Sequence, residues 1–303
     1  MRSKPFLAMD HQLLSAIFAE YSGIYKNLQI FADTAAIRIT QNEKIITCDC
    51  KPKKINYNDF VMKAFVINGS VSLETKQFLR TQGRLIEAPR CALLPPPEQG
   101  HADLQFTKID DRTLVCAPGL DYEALFRGSG IRLVRGETPL GNAYPENIPY
   151  NVLKAGRVYF HNPKYTDPLV RKMLLQSGYS LCPVRQGYCG CSSVSIPLRS
   201  GKLLILSSDH GILSAVRKLQ DSELCAEYFT DTQKIILDGY NHGLIGGCCG
   251  FDKELGLLVY GKVGGALREL SVSYGFSVVS VFNGPLTDIG GILVMYPDQP
   301  VQG

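Results

Sequence analysis

Cys191 is the side chain whose sequence neighbours best suit it to nucleophilic chemistry. It follows Gly190 and precedes Ser192 in a loop that opens at Gly187. The glycine lets another backbone approach closely, and adjacent amide groups can stabilise a thiolate, the reactive form of cysteine. The alternative is that Cys191 is a small buried thiol that only fills space. Cys189 is the second candidate for the nucleophile.

Residues suited to proton transfer stand in two other loops. His101 and Asp103 form a His-X-Asp pair, and His242 precedes Gly243. An imidazole changes charge near neutral pH, so both histidines suit general acid or base catalysis. His101 and Asp103 share one strand face if the chain is extended there. The alternatives are a hydrogen-bonded structural pair for these two residues and a capping role for His242.

Side chains suited to holding a small polar or cationic molecule complete the set of candidates. They are Glu146, Asn147, Asn241 and Asp288. Carboxylates accept paired N–H donors, and amides offer both donors and acceptors. Each of the four can instead stabilise its own turn by a local hydrogen bond. Cys248 and Cys249 follow two glycines, where small side chains suit close packing of backbones.

Most of these candidates lie in or beside five loops that share one pattern. Each loop opens with a glycine and runs into an apolar strand, and the openings are Gly100, Gly141, Gly187, Gly239 and Gly284. Self-similarity at a period of this kind is typical of propellers and solenoids, in which each unit buries its apolar face against the next. In a ring of such units, equivalent loops converge near the axis.

Helix and strand signals recur between the loops. Capping and stop signals predict helices from Ser72 to before Gly83 and from Asp167 to Gly178. Three shorter helices are predicted at 121–127, at 210–219, where Asp209 begins the helix, and at 266–274. Apolar runs predict strands at 84–87, 131–134, 179–184 and 276–281, with 234–237 in the fourth unit, and strand pairs such as 104–109 with 113–116 and 193–197 with 203–207.

The two ends of the repeat region each carry half a unit. A strand at 63–67 has no N-terminal partner, and the strand at 292–296 has no partner after it. Pairing the two closes a ring and removes two exposed sheet edges. The predicted fold is therefore α/β, a closed five-bladed α/β propeller. An open α/β sheet also accommodates alternating helices and strands, but it leaves both half-units unexplained.

The first 58 residues do not follow the repeat. They show a helical period at 9–27, alternation typical of one or two strands at 36–47, and a basic linker at 51–54. We therefore expect an appended N-terminal segment at 1–58 and the repeat domain at 59–303.

Composition excludes several classes of function. Lys and Arg outnumber Asp and Glu by only 32 to 28, and most of the excess lies before residue 59, so the repeat region carries no basic stripe for nucleic acid. The absence of a long apolar stretch or a signal peptide predicts a cytoplasmic protein without membrane contact. The ten cysteines are then expected to be reduced, and their spacing does not predict a metal site.

Several short motifs together resemble the pentein, or guanidino-group-modifying enzyme, superfamily, and more narrowly a bacterial family with this fold and no assigned function. The motifs are Tyr150-Asn151-Val152, His161-Asn162-Pro163-Lys164-Tyr165-Thr166-Asp167, Gln186-Gly187-Tyr188 with Cys191-Ser192, and Gly243-Leu244-Ile245-Gly246-Gly247. The resemblance covers about residues 62 to 297. It implies a five-fold pseudosymmetric α/β propeller.

The resemblance implies chemistry at a guanidinium carbon, with a cysteine thiolate, a histidine for proton transfer, carboxylates for the cation and no cofactor. Catalytic members carry the nucleophile in the last repeat, where this chain has Gly290-Gly291-Ile292-Leu293-Val294 and no cysteine. Two functions therefore stay open. One is a C–N hydrolase or amidino-transfer enzyme with Cys191 as nucleophile and His101 or His242 as acid and base; the other is a non-catalytic pentein that binds a metabolite or a protein.

Overall fold

Five small three-stranded sheets of one plan are the main feature of the chain between residues 64 and 295. The computed structural model describes residues 63–297 and, before them, the backbone of three strands at 29–33, 36–41 and 44–48. Contacts divide the chain into two units, Met1–Phe60 and Val61–Gly303, and each is described by itself.

The described part of the first unit is an antiparallel sheet. Its strands are β1 (Gln29–Asp33), β2 (Ala36–Gln41) and β3 (Lys44–Cys48), with β2 in the centre. The strands predicted from the alternation at 36–47 are confirmed by β2 and β3. The helix predicted at 9–27 and the linker at 51–54 lie outside the described residues.

The second unit alternates strands and helices throughout. In chain order its elements are β4 (Ala64–Asn68), α1 (Leu73–Gln82), β5 (Arg84–Ala88), α2 (Ala102–Gln105), β6 (Phe106–Lys108), β7 (Thr113–Cys116), α3 (Glu123–Phe126), β8 (Arg132–Arg135), β9 (Leu153–Ala155), β10 (Val158–His161), α4 (Pro168–Gln176), β11 (Ser180–Pro183), α5 (Cys189–Ser192), β12 (Ser193–Pro197), β13 (Leu203–Ser207), α6 (His210–Leu219), β14 (Leu224–Tyr228), β15 (Cys249–Asp252), β16 (Gly256–Val259), α7 (Gly265–Tyr274), β17 (Val278–Ser280) and β18 (Ile292–Met295).

Each sheet of this unit has an antiparallel pair followed by a strand parallel to the middle one. The strand orders are β6-β7-β8, β9-β10-β11, β12-β13-β14, β15-β16-β17 and β18-β4-β5. A helix connects the two parallel strands in every sheet, as a parallel pair requires a crossover. The described part of the chain is thus a mixed α/β structure.

The fifth sheet joins the two ends of the unit. β4 lies between β18 and β5, with Ile67 opposite Ile292 and Ala64 opposite Met295. All five residues of β4 are buried. The pairing predicted between the strands at 63–67 and 292–296 is confirmed.

The predicted helix starts are confirmed by their capping hydrogen bonds. The Ser72 side chain accepts from the Thr75 amide at the start of α1, and Asp167 and Asp209 cap α4 and α6 in the same manner. A cap satisfies backbone N–H groups that have no partner inside the helix. Sequence therefore locates these three helices to within a few residues.

One predicted strand is wrong, and a second is shorter than predicted. The third strand of the sheet β12-β13-β14 is Leu224–Tyr228, and the segment predicted in its place, 234–237, makes only a single bridge from Ile236 to Thr287. The Ile235 carbonyl there accepts from the Gly243 amide, so this segment holds the following loop. The strand predicted at 104–109 begins only at Phe106, because the preceding residues form the single helical turn α2.

Five buried apolar clusters lie between the sheets, and each joins two sheets that are consecutive in the chain. Alternation along the middle strands explains this: Phe65 and Ile67 of β4 pack with Leu258 of β16, whereas Val66 packs with Leu114 of β7. The sheet β18-β4-β5 is thereby packed against both the first and the last of the other four.

Candidate functional site

A cavity of about 300 Å³ brings together the residues that sequence singled out for chemistry. Its ionisable or nucleophilic lining groups are Glu98, His101, Cys191, His242 and Asp288. They come from loops that precede four different sheets, so residues nearly 190 positions apart in the chain face one space. Burial of the site follows from this convergence, because each loop covers the others.

The turn α2 positions His101 and Asp103. His101 is the residue before the turn and has an extended backbone, whereas Asp103 is the second residue of the turn itself. The two side chains therefore do not share one strand face, which is the arrangement expected for an extended chain. Gln105 fixes the turn because its Nε2 donates to three carbonyls, including that of His101. Its Oε1 accepts from the Tyr122 hydroxyl at 2.9 Å. Both histidine and aspartate are buried.

Cys191 lies in the turn α5 and is bonded to Asp103. Its Sγ donates to Asp103 Oδ2 at 2.9 Å. Asn151 holds the pair together: its Oδ1 accepts from the Cys191 amide at 3.0 Å, and its Nδ2 lies 3.0 Å from both Cys191 Sγ and the Asp103 carbonyl. A thiol bonded to a carboxylate has its proton acceptor in place.

Burial sets the protonation of this pair. It raises the pKa of Asp103 to about 6, an effect that the neighbouring His101 reduces and Asp288 increases. Burial, followed by the charges of Asp103 and Asp288, also raises the pKa of the Cys191 thiol well above its usual range. At neutral pH Asp103 is therefore mostly charged and Cys191 is a thiol. Asp103 Oδ1 is buried and accepts no hydrogen bond from the described residues.

Asp288 lies opposite this pair and is held by the backbone. Its Oδ2 accepts from the Leu244 amide at 2.9 Å and its Oδ1 from the Gly290 amide at 3.1 Å. His101 Nδ1 is 3.9 Å from Asp288 Oδ1, an ion-pair distance when the imidazole is protonated. Gly290 has φ of 77°, and a Cβ there would lie 2.3 Å from His101 Cα, so only glycine fits against the histidine.

Glu98 is a third carboxylate of the cavity and was not predicted. It is 4% exposed, and its two oxygens accept from Tyr240 Oη at 2.5 Å and Asn147 Nδ2 at 2.9 Å. Asn147 Nδ2 also lies 2.7 Å from the Tyr188 hydroxyl. The sequence signal is the run of three prolines directly before Glu98, which itself lies two residues ahead of the loop opening at Gly100. Candidate residues were taken from the glycine onward, so Glu98 was missed.

The other predicted ligand-binding residues occupy three different positions. Asn241 lines the cavity and is exposed. Asn147 is buried behind the wall, where it bonds Glu98. Glu146 is exposed and is not among the lining residues. Since adjacent residues in an irregular loop point in different directions, Asn147 faces the protein while Glu146 faces solvent.

Of the remaining histidine and cysteine candidates, His242 lines the cavity, whereas Cys189 and Cys248 do not. The Nδ1 of His242 faces the Gly243 carbonyl at 2.9 Å and must donate, so Nε2 is the acceptor in the neutral ring. Cys189 is buried and bonds the Gln186 carbonyl, and Cys248 bonds the Leu244 carbonyl. The eight cysteines within residues 63–297 are free thiols.

A second cavity, of about 220 Å³, lies on the other side of Asp103. The first strand of each of the five sheets contributes to its lining. Asp103, Lys108 and Lys154 are its charged groups. Burial lowers the pKa of Lys154 to about 7. Asp103 thus lines one cavity while it accepts a hydrogen bond from the thiol of the other.

Within the described residues, no group of three or more His, Cys, Asp or Glu side chains is arranged to hold a metal ion. Over the same residues, no helix combines the length and apolar character needed to cross a bilayer.

Comparison with known proteins gives one family. Residues 66–293 match the model of a family described as "Family of unknown function (DUF6873)". No curated protein matches the chain. The matched region spans more than half of the 303 residues and includes every residue that lines the cavity around Cys191. The chain therefore belongs to the DUF6873 family of unknown function.

Proposed function

We propose that residues 63–297 form a closed five-bladed ring of the pentein type, with the Cys191 cavity at one end of its axis. Five sheets with one strand plan support the ring. So do the apolar clusters, which link the sheets consecutively and link the last back to the first. A cavity lined by the first strand of all five sheets suits an axial position.

We infer that the cavity binds a small organic cation. Two carboxylates, Glu98 and Asp288, line it, and a third, Asp103, lies behind Cys191. Buried carboxylates are costly unless a cation or donors offset their charge. A guanidinium or amidinium group carries a delocalised charge and planar N–H donors that match several carboxylates at once.

We further propose that the protein cleaves a C–N bond of this cation, with Cys191 as the nucleophile. The observation that carries the proposal is the hydrogen bond from the Cys191 thiol to the charged Asp103 carboxylate, in a cavity that also contains His101. The thiol has an acceptor for its proton, and the electrophilic carbon would be held beside it by the carboxylates.

Binding of the cation supplies the activation that the free site lacks. Burial and the charges of Asp103 and Asp288 hold Cys191 as a thiol. A bound positive charge neutralises those carboxylates and lowers the free energy of the thiolate relative to the thiol. The nucleophile is then reactive only when substrate is present, which protects it from other electrophiles.

The proposed reaction has two steps. Cys191 Sγ adds to the amidinium carbon while its proton passes to Asp103, and an amine or ammonia leaves with that proton. Water then adds to the same carbon, His101 accepts its proton, and cleavage of the C–S bond returns the thiol. For a guanidinium, one water is consumed and one ammonium ion is released with a urea. An amine in place of water makes the reaction an amidino transfer.

A binding function without turnover is the second candidate. It is favoured by the raised pKa of Cys191 and by the absence of a thiol at 290–294, where catalytic penteins carry one. In that case the three carboxylates hold the cation, and Cys191 only fills the wall.

Release of ammonia or amine from a panel of guanidinium and amidinium compounds tests the proposal. We expect turnover by the native chain and a fall of about 1000-fold in Cys191→Ser. Cys225→Ser, at a half-buried thiol on β14 that lines neither cavity, is the control and should keep full activity. Undiminished turnover in Cys191→Ser would exclude this nucleophile. Saturable binding without product or covalent adduct would establish the binding function instead.

A further inference from the structure

We propose that the organic cation bound at the Cys191 cavity carries an uncharged, mainly apolar substituent and no carboxylate. This inference rests on the proposed function and names its substrate class: alkyl or aryl guanidines and amidines rather than guanidino acids. It is drawn from the charges and the apolar surface that face the ligand.

The cavity wall contains carboxylates but neither lysine nor arginine among its described lining residues. Its ionisable lining residues are two carboxylates, two histidines, a thiol and two phenols. Asp103, bonded to Cys191, adds a third carboxylate at the wall. A guanidino acid presents a cation at one end and an anion at the other, and only the cation finds an opposite charge here.

The cationic side chains closest to the site in sequence are engaged elsewhere. Arg185, three residues before Tyr188, lines a separate surface cavity with Asp209. Lys234, three residues before Leu237, pairs with Asp231 at 2.9 Å. Lys108 and Lys154 line the second cavity, behind Asp103. No lysine or arginine among the described lining residues therefore offers a ligand carboxylate the bidentate or point-charge partner it requires.

Apart from the exposed Asn241 amide, the rest of the cavity is apolar. Leu104, Leu237 and Leu244 contribute aliphatic surface, and the rings of Tyr188 and Tyr240 add aromatic surface. Tyr240 and Tyr188 turn their hydroxyls to Glu98 and Asn147, which leaves their ring faces and edges for the ligand. A cavity of about 300 Å³ is at the small end for ligand sites, so the substituent is short.

A carboxylate on the substituent would lose hydration and gain only like charges. Burying an ion without a partner is strongly unfavourable, and like charges that face each other across a binding interface weaken binding further. An alkyl group of the same length gains free energy from burial against the leucines. The structure therefore predicts selection against the acid by a large factor.

Calorimetric titration of full-length Cys191→Ser with 1-butylguanidine and with 4-guanidinobutyrate tests this selection. The two probes differ only in the terminal carboxylate, and the serine variant prevents turnover. We expect 1-butylguanidine to bind about 100-fold more tightly. Equal affinities, or tighter binding of 4-guanidinobutyrate, would overturn the inference and leave the proposed function standing. Failure of both probes to bind would instead show that the cavity is not a site for organic cations.

A designed change of charge gives an independent test. Leu237→Arg, in the same serine background, places a guanidinium at a half-buried position of the wall. We expect it to reduce the affinity ratio of the two probes about tenfold, because 4-guanidinobutyrate should bind more tightly and 1-butylguanidine more weakly. Leu175→Arg, at an exposed leucine away from both cavities, should leave the ratio unchanged. An equal shift in both variants would show that net charge, rather than the cavity wall, sets the preference, and would overturn the inference.

Discussion

Asp103 is the residue on which the chemistry of the cavity depends. Its Oδ2 accepts the Cys191 thiol, its Oδ1 accepts nothing among the described residues, and it borders the second cavity as well. Burial raises the pKa of this carboxylate to about 6, so it is mostly charged at neutral pH and takes up a proton in mildly acidic solution. Proton transfer from the thiol and the pH dependence of stability therefore involve the same group.

Asp103→Asn is predicted to change how stability depends on pH. The folded pKa of Asp103, about 6, exceeds the ordinary value of an aspartate, 3.8, so between these values the native state binds the proton and the unfolded state does not. The contribution of Asp103 is thus favourable near pH 4 and is lost as pH rises through 6. From pH 5 to pH 7.5, the free energy of unfolding of the wild type should fall by about 1.4 kcal/mol relative to Asp103→Asn.

The comparison between the two proteins is essential, because other groups titrate over the same range. Burial lowers the pKa of His161 to about 4, which makes stability rise with pH between 4 and 6.5 in both proteins. Urea unfolding at the two pH values measures the difference directly. Asp221→Asn, at an exposed aspartate, should follow the wild type. A constant difference between wild type and Asp103→Asn would contradict the raised pKa.

At this scale, sequence named most of the cavity's ionisable groups but not their partners. Cys191, His101, His242 and Asp288 were all candidates, since nucleophiles, imidazoles and carboxylates in loops are recognisable by type. The bond from Cys191 to Asp103, the clamp made by Asn151 and the place of Glu98 depend on which way each side chain points. Loop direction is set by long-range packing, which spacing along the chain does not encode.

Among the elements, the contact between the turn α5 and the short 3-10 turn Gly246–Cys248 decides where Cys191 lies. A Cβ on Gly246 would lie 2.0 Å from the Gly190 carbonyl oxygen and 2.4 Å from that of Ser193. Both obstacles are backbone atoms and cannot rotate away. Close approach of the two turns thus requires glycine at this position.

Gly246→Ala is predicted to destabilise the second unit by about 3 kcal/mol, because the two turns must separate to admit the methyl group. Gly265→Ala is the matched control: a Cβ there meets nothing within 4 Å, and at the first residue of α7 alanine should be neutral or slightly stabilising. Chemical unfolding of both variants measures the difference. Equal effects of the two substitutions would mean that the turns can move apart at little cost.

Elements with strong local signals were predictable and the others were not. The caps Ser72, Asp167 and Asp209 satisfy the amides at helix starts by local bonds, so three helices could be located from sequence. The strand Leu224–Tyr228 is half-buried throughout and lacks the alternation that marks a one-sided strand. Its place is set by pairing with β13, whereas the more regular run at 234–237 is held by loop contacts.

Over the whole molecule, the sheet β18-β4-β5 joins the two ends of the second unit. β4 is buried at every residue and bonds to a strand on each side. It also contributes to two apolar clusters, one shared with β16 and one with β7. Removal of β4 therefore exposes two strand edges and opens two clusters at once.

Deletion of 59–68 is predicted to abolish cooperative unfolding of the second unit, while deletion of 1–50 should leave it nearly unchanged. The second deletion falls within the unit Met1–Phe60, whereas the first removes β4. Thermal melting followed by circular dichroism distinguishes them. Deletion of 292–303 removes β18, the antiparallel partner of β4, and should resemble the loss of β4. If all three deletions melted alike, the joined ends would contribute little to stability, and a closed ring would lose its main structural argument.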